Sequence, residues 1–110
     1  SRLIDFTEDS KYLYFGSFES FYCYNIEKRN LYKIPVKEQL LKVSYNKKYD
    51  IFCILSQDYE GDYSVVITYS DGRNIYSSSF SADNIFMKND SENIYIGVDD
   101  KIYSVELSSE

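Results

Sequence analysis

Residues 4–26 and 85–107 repeat one pattern at a constant offset of 81 positions. Ile4 and Phe6 fall on Ile85 and Met87, Leu13-Tyr14-Phe15-Gly16 on Ile94-Tyr95-Ile96-Gly97, Phe21-Tyr22 on Ile102-Tyr103, and Ile26 on Leu107. Self-similarity of that length marks a chain assembled from like units, which constrains the fold more than any local propensity. A weaker copy lies between the two. Ile51-Phe52-Cys53-Ile54 aligns with Leu13-Tyr14-Phe15-Gly16 at offset 38, and Arg73-Asn74-Ile75-Tyr76 with Arg29-Asn30-Leu31-Tyr32 at offset 44. The difference, 44 − 38 = 6 residues, is assigned to an insertion over Gln57–Asp62. One domain spanning 1–110 is expected, with units at about 2–36, 40–81 and 83–108.

The units read as strands. Thirteen Tyr, seven Phe, one Pro and no Trp suit pleated, half-buried surfaces. Strands are expected at Leu3–Phe6, Tyr12–Ser17, Phe21–Ile26 and Leu31–Val36, with Pro35 near a sheet edge. The second unit should comprise Lys42–Tyr45, Asp50–Ser56, Tyr63–Tyr69 and Ile75–Phe80, with an Asp71-Gly72 turn signal. Lys37–Lys42 reads as a link or a single helical turn. Asn84–Met87, Asn93–Val98 and Lys101–Leu107 supply three strands of the third unit and leave its fourth missing. An average spacing of about 40 residues with up to four strands is the period of a propeller blade.

Leu13-Tyr14-Phe15-Gly16 followed by Phe21-Tyr22-Cys23-Tyr24-Asn25-Ile26, and its echo at 94–107, resemble the inner hairpin of quinoprotein-like and WD40-like β-propeller blades. The resemblance implies an all-β fold of about three four-stranded antiparallel blades, the last incomplete. Apolar residues on both faces suit radial stacking, and Gly16 and Gly97 suit close approach of a neighbour. The WD dipeptide, the kelch Gly-Gly pair and the quinoprotein tryptophan docking motif are absent, so no cofactor and no functional residue is carried over. A β-sandwich or barrel is the alternative. Propellers close with about four to eight blades, and this chain supplies fewer than three. An open apolar face of about 500 Å² forgoes about 12 kcal/mol of burial. The chain is therefore expected to be part of a larger propeller or to pair as a homodimer into a closed ring. Ser1, in place of an initiating Met, suits a piece of a longer chain.

The net charge of −6 is unevenly placed: residues 1–55 carry nine Lys/Arg against seven Asp/Glu, and residues 56–110 carry three against eleven. That balance disfavours nucleic acid, which needs a basic footprint. Apolar runs are too short for a membrane span. Cys23 and Cys53 sit in apolar runs, as buried free thiols do, and a bridge between adjacent units is the other option. With no His and no CxxC spacing, no transition-metal site is expected. Asn89-Asp90-Ser91 fits a glycosylation sequon, relevant only to a secreted chain.

Asp58, Tyr59, Glu60, Asp62 and Tyr63 form the candidate protein-binding loop: acids with flanking tyrosines on a hairpin tip. The same acids lack the closing bidentate ligand of a calcium loop. Tyr14, Tyr22, Tyr95 and Tyr103 take equivalent repeat positions and read as structural. With no His base and no nucleophile-elbow serine, catalysis is not expected. The leading reading is a non-catalytic binding or scaffold module. The alternatives are a small acidic inhibitor or immunity-type protein covering a basic effector, and a carbohydrate-binding propeller segment.

Overall fold

The computed structural model describes residues 4–109, so the strand expected from Leu3 begins outside the described residues. Eleven strands run through them: β1 (Ile4–Phe6), β2 (Tyr12–Ser17), β3 (Ser20–Asn25), β4 (Asn30–Pro35), β5 (Gln39–Asn46), β6 (Ile51–Gln57), β7 (Tyr63–Tyr69), β8 (Asn74–Phe80), β9 (Ile85–Asn89), β10 (Asn93–Val98) and β11 (Lys101–Glu106). They form three antiparallel meanders, β1-β2-β3-β4, β5-β6-β7-β8 and β9-β10-β11. Lys37–Lys42 contains no helical turn. Its second half belongs to β5, whose bulge between Leu40 and Lys42 lets the strand start early while keeping Val43 opposite Ile54.

The sheets stack face to face, and the middle one is covered on both sides. Ile51, Phe52, Cys53, Ile54, Leu55 and Ser56 are all buried, because alternate residues of β6 point to opposite neighbours. Phe52 and Ile54 join Tyr12, Phe21, Cys23 and Ile34 in a core against the first sheet. Ile51, Cys53 and Leu55 join Val65, Ile67, Met87, Ile94 and Ile96 in a core against the third. β5 and β9 also lie side by side. Lys42 Nζ donates to the Met87 carbonyl at 2.6 Å, the Ser44 hydroxyl bonds the Asn89 side chain, and Asn46 Nδ2 donates to the Ser91 carbonyl at 3.0 Å. Each pair is 45 residues apart, which tracks two strands running the same way.

Backbone pairing corrects two of the expected alignments. Tyr14 pairs with Cys23, and Cys53 pairs with Ile67, 44 positions after Cys23. The offset of β6 from β2 is therefore 39 and not 38, and the insertion is 44 − 39 = 5 residues. A one-residue slip exchanges the two faces of a strand, but β6 is apolar on both, so its sequence does not mark the error. The gap-free offset of 81 holds for β2 and β3 but fails for β1. Ile4 pairs with Phe15, whereas Met87, not Ile85, pairs with Ile96. The turn from β1 to β2 is two residues longer than the turn from β9 to β10, so Ile4 is equivalent to Met87.

The cysteines are free and buried, one in each core, on opposite sides of the middle sheet. That placement rules out a bridge between them in this fold. Burial pushes both thiols up to about 12, with the charge of Asp50 adding to the effect at Cys23. Neither should react with an aromatic disulfide reagent at pH 8 until the chain unfolds, when both should react together. Reagent uptake followed across a urea titration checks this expectation.

Candidate functional site

Internal symmetry identifies what is unusual about the surface. Gly16, Phe21 and Cys23 face the middle sheet, and their equivalents 81 positions later are Gly97, Ile102 and Ser104. Those equivalents point the same way from the third sheet, which no described sheet follows. Phe21 is 0% exposed and Ile102 is 71% exposed. The opposite flank shows the converse. Met87 is 2% exposed against the middle sheet, while its equivalent Ile4 is 66% exposed on the outer face of the first. Residues of one chemical kind are thus buried or bare according to whether a neighbouring sheet is present.

On the first sheet, Ile4, Phe6, Leu13, Phe15, Tyr24 and Leu31 share the bare face through their pairing. The Phe15 ring stacks on Tyr22 at 4.9 Å, an ordered apolar surface open to solvent. On the third sheet, Phe86 and Ile102 flank Gly97, their register partner in both directions. Apolar side chains are thus gathered on one face at each flank.

The two glycines show what such a face accepts. A Cβ on Gly16 would lie 2.6 Å from Leu40 Cδ2, so the first sheet receives a leucine from the next sheet at that point. A Cβ on Gly97 would lie 1.8 Å from Phe86 Cε1: with no following sheet, the third sheet's own Phe86 ring covers the glycine. Gly16→Ala is expected to cost about 1 kcal/mol because Leu40 must shift within a packed interface. Gly97→Ala should cost less than half of that, since the exposed Phe86 ring swings into solvent. Thermal unfolding of the two variants checks the ordering.

The loop singled out from sequence is a different kind of place. The Asp58 carboxylate accepts the amides of Glu60 and Asp62, both at 2.9 Å, and Gly61 takes a φ of 98° to close the turn. Asp58 is thereby spent on holding its own loop. Tyr59 is 69% exposed and tilts against Phe18 of the β2–β3 turn, with ring centres 6.5 Å apart. Tyr63 lies in β7, half-buried against the core shared with the third sheet, so it does not join Tyr59. Glu60 and Asp62 flank the glycine without gathering on a common point. Among the described residues, no group of three or more His, Cys, Asp or Glu side chains is placed to hold a metal ion.

The four equivalent tyrosines divide by location. Tyr14 packs in the first core and Tyr22 on the bare flank, while Tyr95 and Tyr103 are exposed on the third sheet. Sequence reading missed Leu31, Phe86 and Ile102 as surface residues. For Ile102 the signal is its 81-residue equivalence to the buried Phe21, whereas Leu31 and Phe86 emerge only from the strand pairing. Neither a curated protein nor a solved structure matches the chain. The family model described as a beta-propeller protein matches residues 1–109, over the same three sheets whose flanks stand open, and the chain belongs to that β-propeller family.

Proposed function

We propose that this chain is a non-catalytic assembly module whose two bare flanks bind further propeller sheets. The carrying observation is the contrast between Phe21, buried by the next sheet, and its equivalent Ile102, left 71% exposed. The same side-chain types that hold the three sheets together are offered again at both ends of the stack. Such faces bind by apolar burial at roughly 25 cal/mol per Å², which favours a broad, flat, apolar partner over a small ligand. The exposed Tyr59 at the β6–β7 tip adds a contact ring for a protein partner beside this main role.

A second copy of the chain is the partner available to a purified sample, and two stacks of three sheets make a six-sheet ring within the usual range. Equilibrium sedimentation should show concentration-dependent association of the wild type. Phe6→Glu and Ile102→Glu, one on each flank, should each weaken association by about tenfold or more by burying a charge at the contact. Both variants should keep the wild-type circular dichroism, because the altered side chains touch no core. A wild type that remains monomeric at high concentration, or variants that associate equally well, would sink the proposal.

A further inference from the structure

Where the first and second sheets meet, their turns enclose a cleft of about 650 Å³ whose lining includes Phe18, Glu38, Leu40, Leu41 and Tyr59. Both sheets have their four strands, so the cleft does not depend on the open flanks. Three segments build it: the β2–β3 turn brings Phe18, the link from β4 to β5 brings Glu38, and the β6–β7 tip brings Tyr59. The link is tied to both sheets just before Glu38. The Val36 amide donates to the Glu19 carbonyl of the β2–β3 turn at 3.2 Å, and the Lys37 amide to the buried Ser56 hydroxyl of β6 at 3.0 Å.

Glu38 carries the unusual atom. Its Oε2 is shielded from solvent, and no described residue donates a hydrogen bond to it. A carboxylate oxygen held out of water without a donor costs free energy, which an incoming donor relieves. The β5 bulge adds an apolar wall. Leu41 is the extra residue between Leu40 and Lys42, and it reaches the cleft half-exposed, while Leu40 beside it is seated over Gly16. Bulges re-aim side chains in this way beside binding sites. Phe18 is 63% exposed and Tyr59 nearly the same, so both rings offer surface to a visitor. The bordering turns carry Glu19, Glu38, Asp58, Glu60 and Asp62 against one cation, Lys37, which lines a different cleft with Ser77 and Ser79. Lys42, the next cation along the chain, is committed to the Met87 carbonyl.

We propose that this cleft receives one arginine side chain presented by a partner protein. The guanidinium donates to Glu38 Oε2, its flat face lies against the rings of Tyr59 and Phe18, and its methylene stem covers Leu41. Arginine suits the place better than lysine. A planar fork donates in its own plane and stacks on a ring at the same time, whereas an ammonium is a compact point charge. The acceptor is also out of water, where the tighter hydration of an ammonium is the more costly to shed. The inference gives the exposed Tyr59 a definite guest and stands apart from the assembly of sheets. The flanks take apolar faces, while the cleft takes one cation between two sheets already joined.

A short peptide with a central arginine among glycine and serine, acetylated and amidated to remove its terminal charges, serves as the probe for a ¹⁵N,¹³C-labelled chain. Over a millimolar titration, saturable shifts should appear at the Glu38 carboxyl carbon and at the amides of Phe18, Glu38 and Tyr59. Citrulline in place of the arginine keeps the shape, removes the charge and should weaken binding at least about tenfold. Glu38→Gln keeps the volume on the protein side and should weaken it as much. Tyr59→Ala, which removes an exposed ring and touches no core, should weaken it several-fold. A lysine peptide should bind less tightly than the arginine one. The proposal is overturned if no saturable shift appears in the cleft, if citrulline binds as well as arginine, or if lysine does. Should Glu38→Gln fail to fold, the citrulline comparison on the wild type decides. None of these outcomes bears on the flanks, whose association is read separately by sedimentation.

Discussion

Phe52→Ala is expected to lower the unfolding free energy by about 3–5 kcal/mol, a large part of the roughly 5–15 kcal/mol available to a domain of this kind. Phe52 is fully buried and projects from the middle sheet into the first. Its ring is the hub of an aromatic cluster, with centres 4.9 Å from Tyr45, 5.4 Å from Phe21, 5.8 Å from Tyr14 and 6.0 Å from Tyr12. Truncation forfeits transfer energy and leaves a cavity whose walls are stiff rings, held by their own strands and unable to collapse inward. The edge-on contacts to Tyr12, Tyr14 and Phe21 add about 0.5–1.5 kcal/mol each beyond area burial, which argues for the upper part of the range. Phe52→Leu keeps most of the volume and should cost less than about 1.5 kcal/mol. Urea unfolding followed by far-ultraviolet circular dichroism measures both. Equal losses for the two variants would mean that the cluster is not packed as described.

Tyr45→Phe should cost about 1.5–3 kcal/mol at neutral pH, the range for a hydrogen bond to a charged group. The Tyr45 hydroxyl lies 2.6 Å from Asp50 and 3.0 Å from Asp9, so it ties a turn of the first sheet to a turn of the second. Burial pushes this phenol far above its ordinary range, and the two carboxylates push it further, so it stays a neutral donor. Burial also pushes Asp9 up, but the Thr7 hydroxyl, the Lys11 amide and the Tyr45 hydroxyl outweigh it and leave the carboxyl below its usual value. A depressed carboxyl contributes stability that is fully present above the unfolded value of about 3.9 and is lost as pH falls through the folded value. The deficit of Tyr45→Phe should therefore be steady from pH 5 to 8 and shrink below about pH 4. A deficit that grows on acidification would reverse the assigned donor.

How much of this was legible in the sequence follows from where the pattern alternates. β2–β3 and β10–β11 carry the same hairpin register, Tyr12 with Asn25 and Asn93 with Glu106, and the 81-residue offset reads it directly. β6 was located but misaligned by one, because Ile51–Leu55 is apolar at every position and burial on both sides erases the alternation that fixes register. β5 was read too short, since a bulge hides continuity from a strict two-residue period. The expectation of covered flanks followed from counting units, and the structure shows which side chains lie bare there. The acidic loop is a different case. Its run of acids on a hairpin tip was legible, but not that Asp58 accepts the amides of its own turn, a local competition that acidic residues at tight bends often win.

Each sheet in this stack touches only the one before and the one after it in the chain. Before any ring closes, an added unit meets only a terminal face and leaves the interfaces between existing neighbours in place. Duplication of a stretch of about forty residues is then a nearly neutral genetic event for the sheets already present.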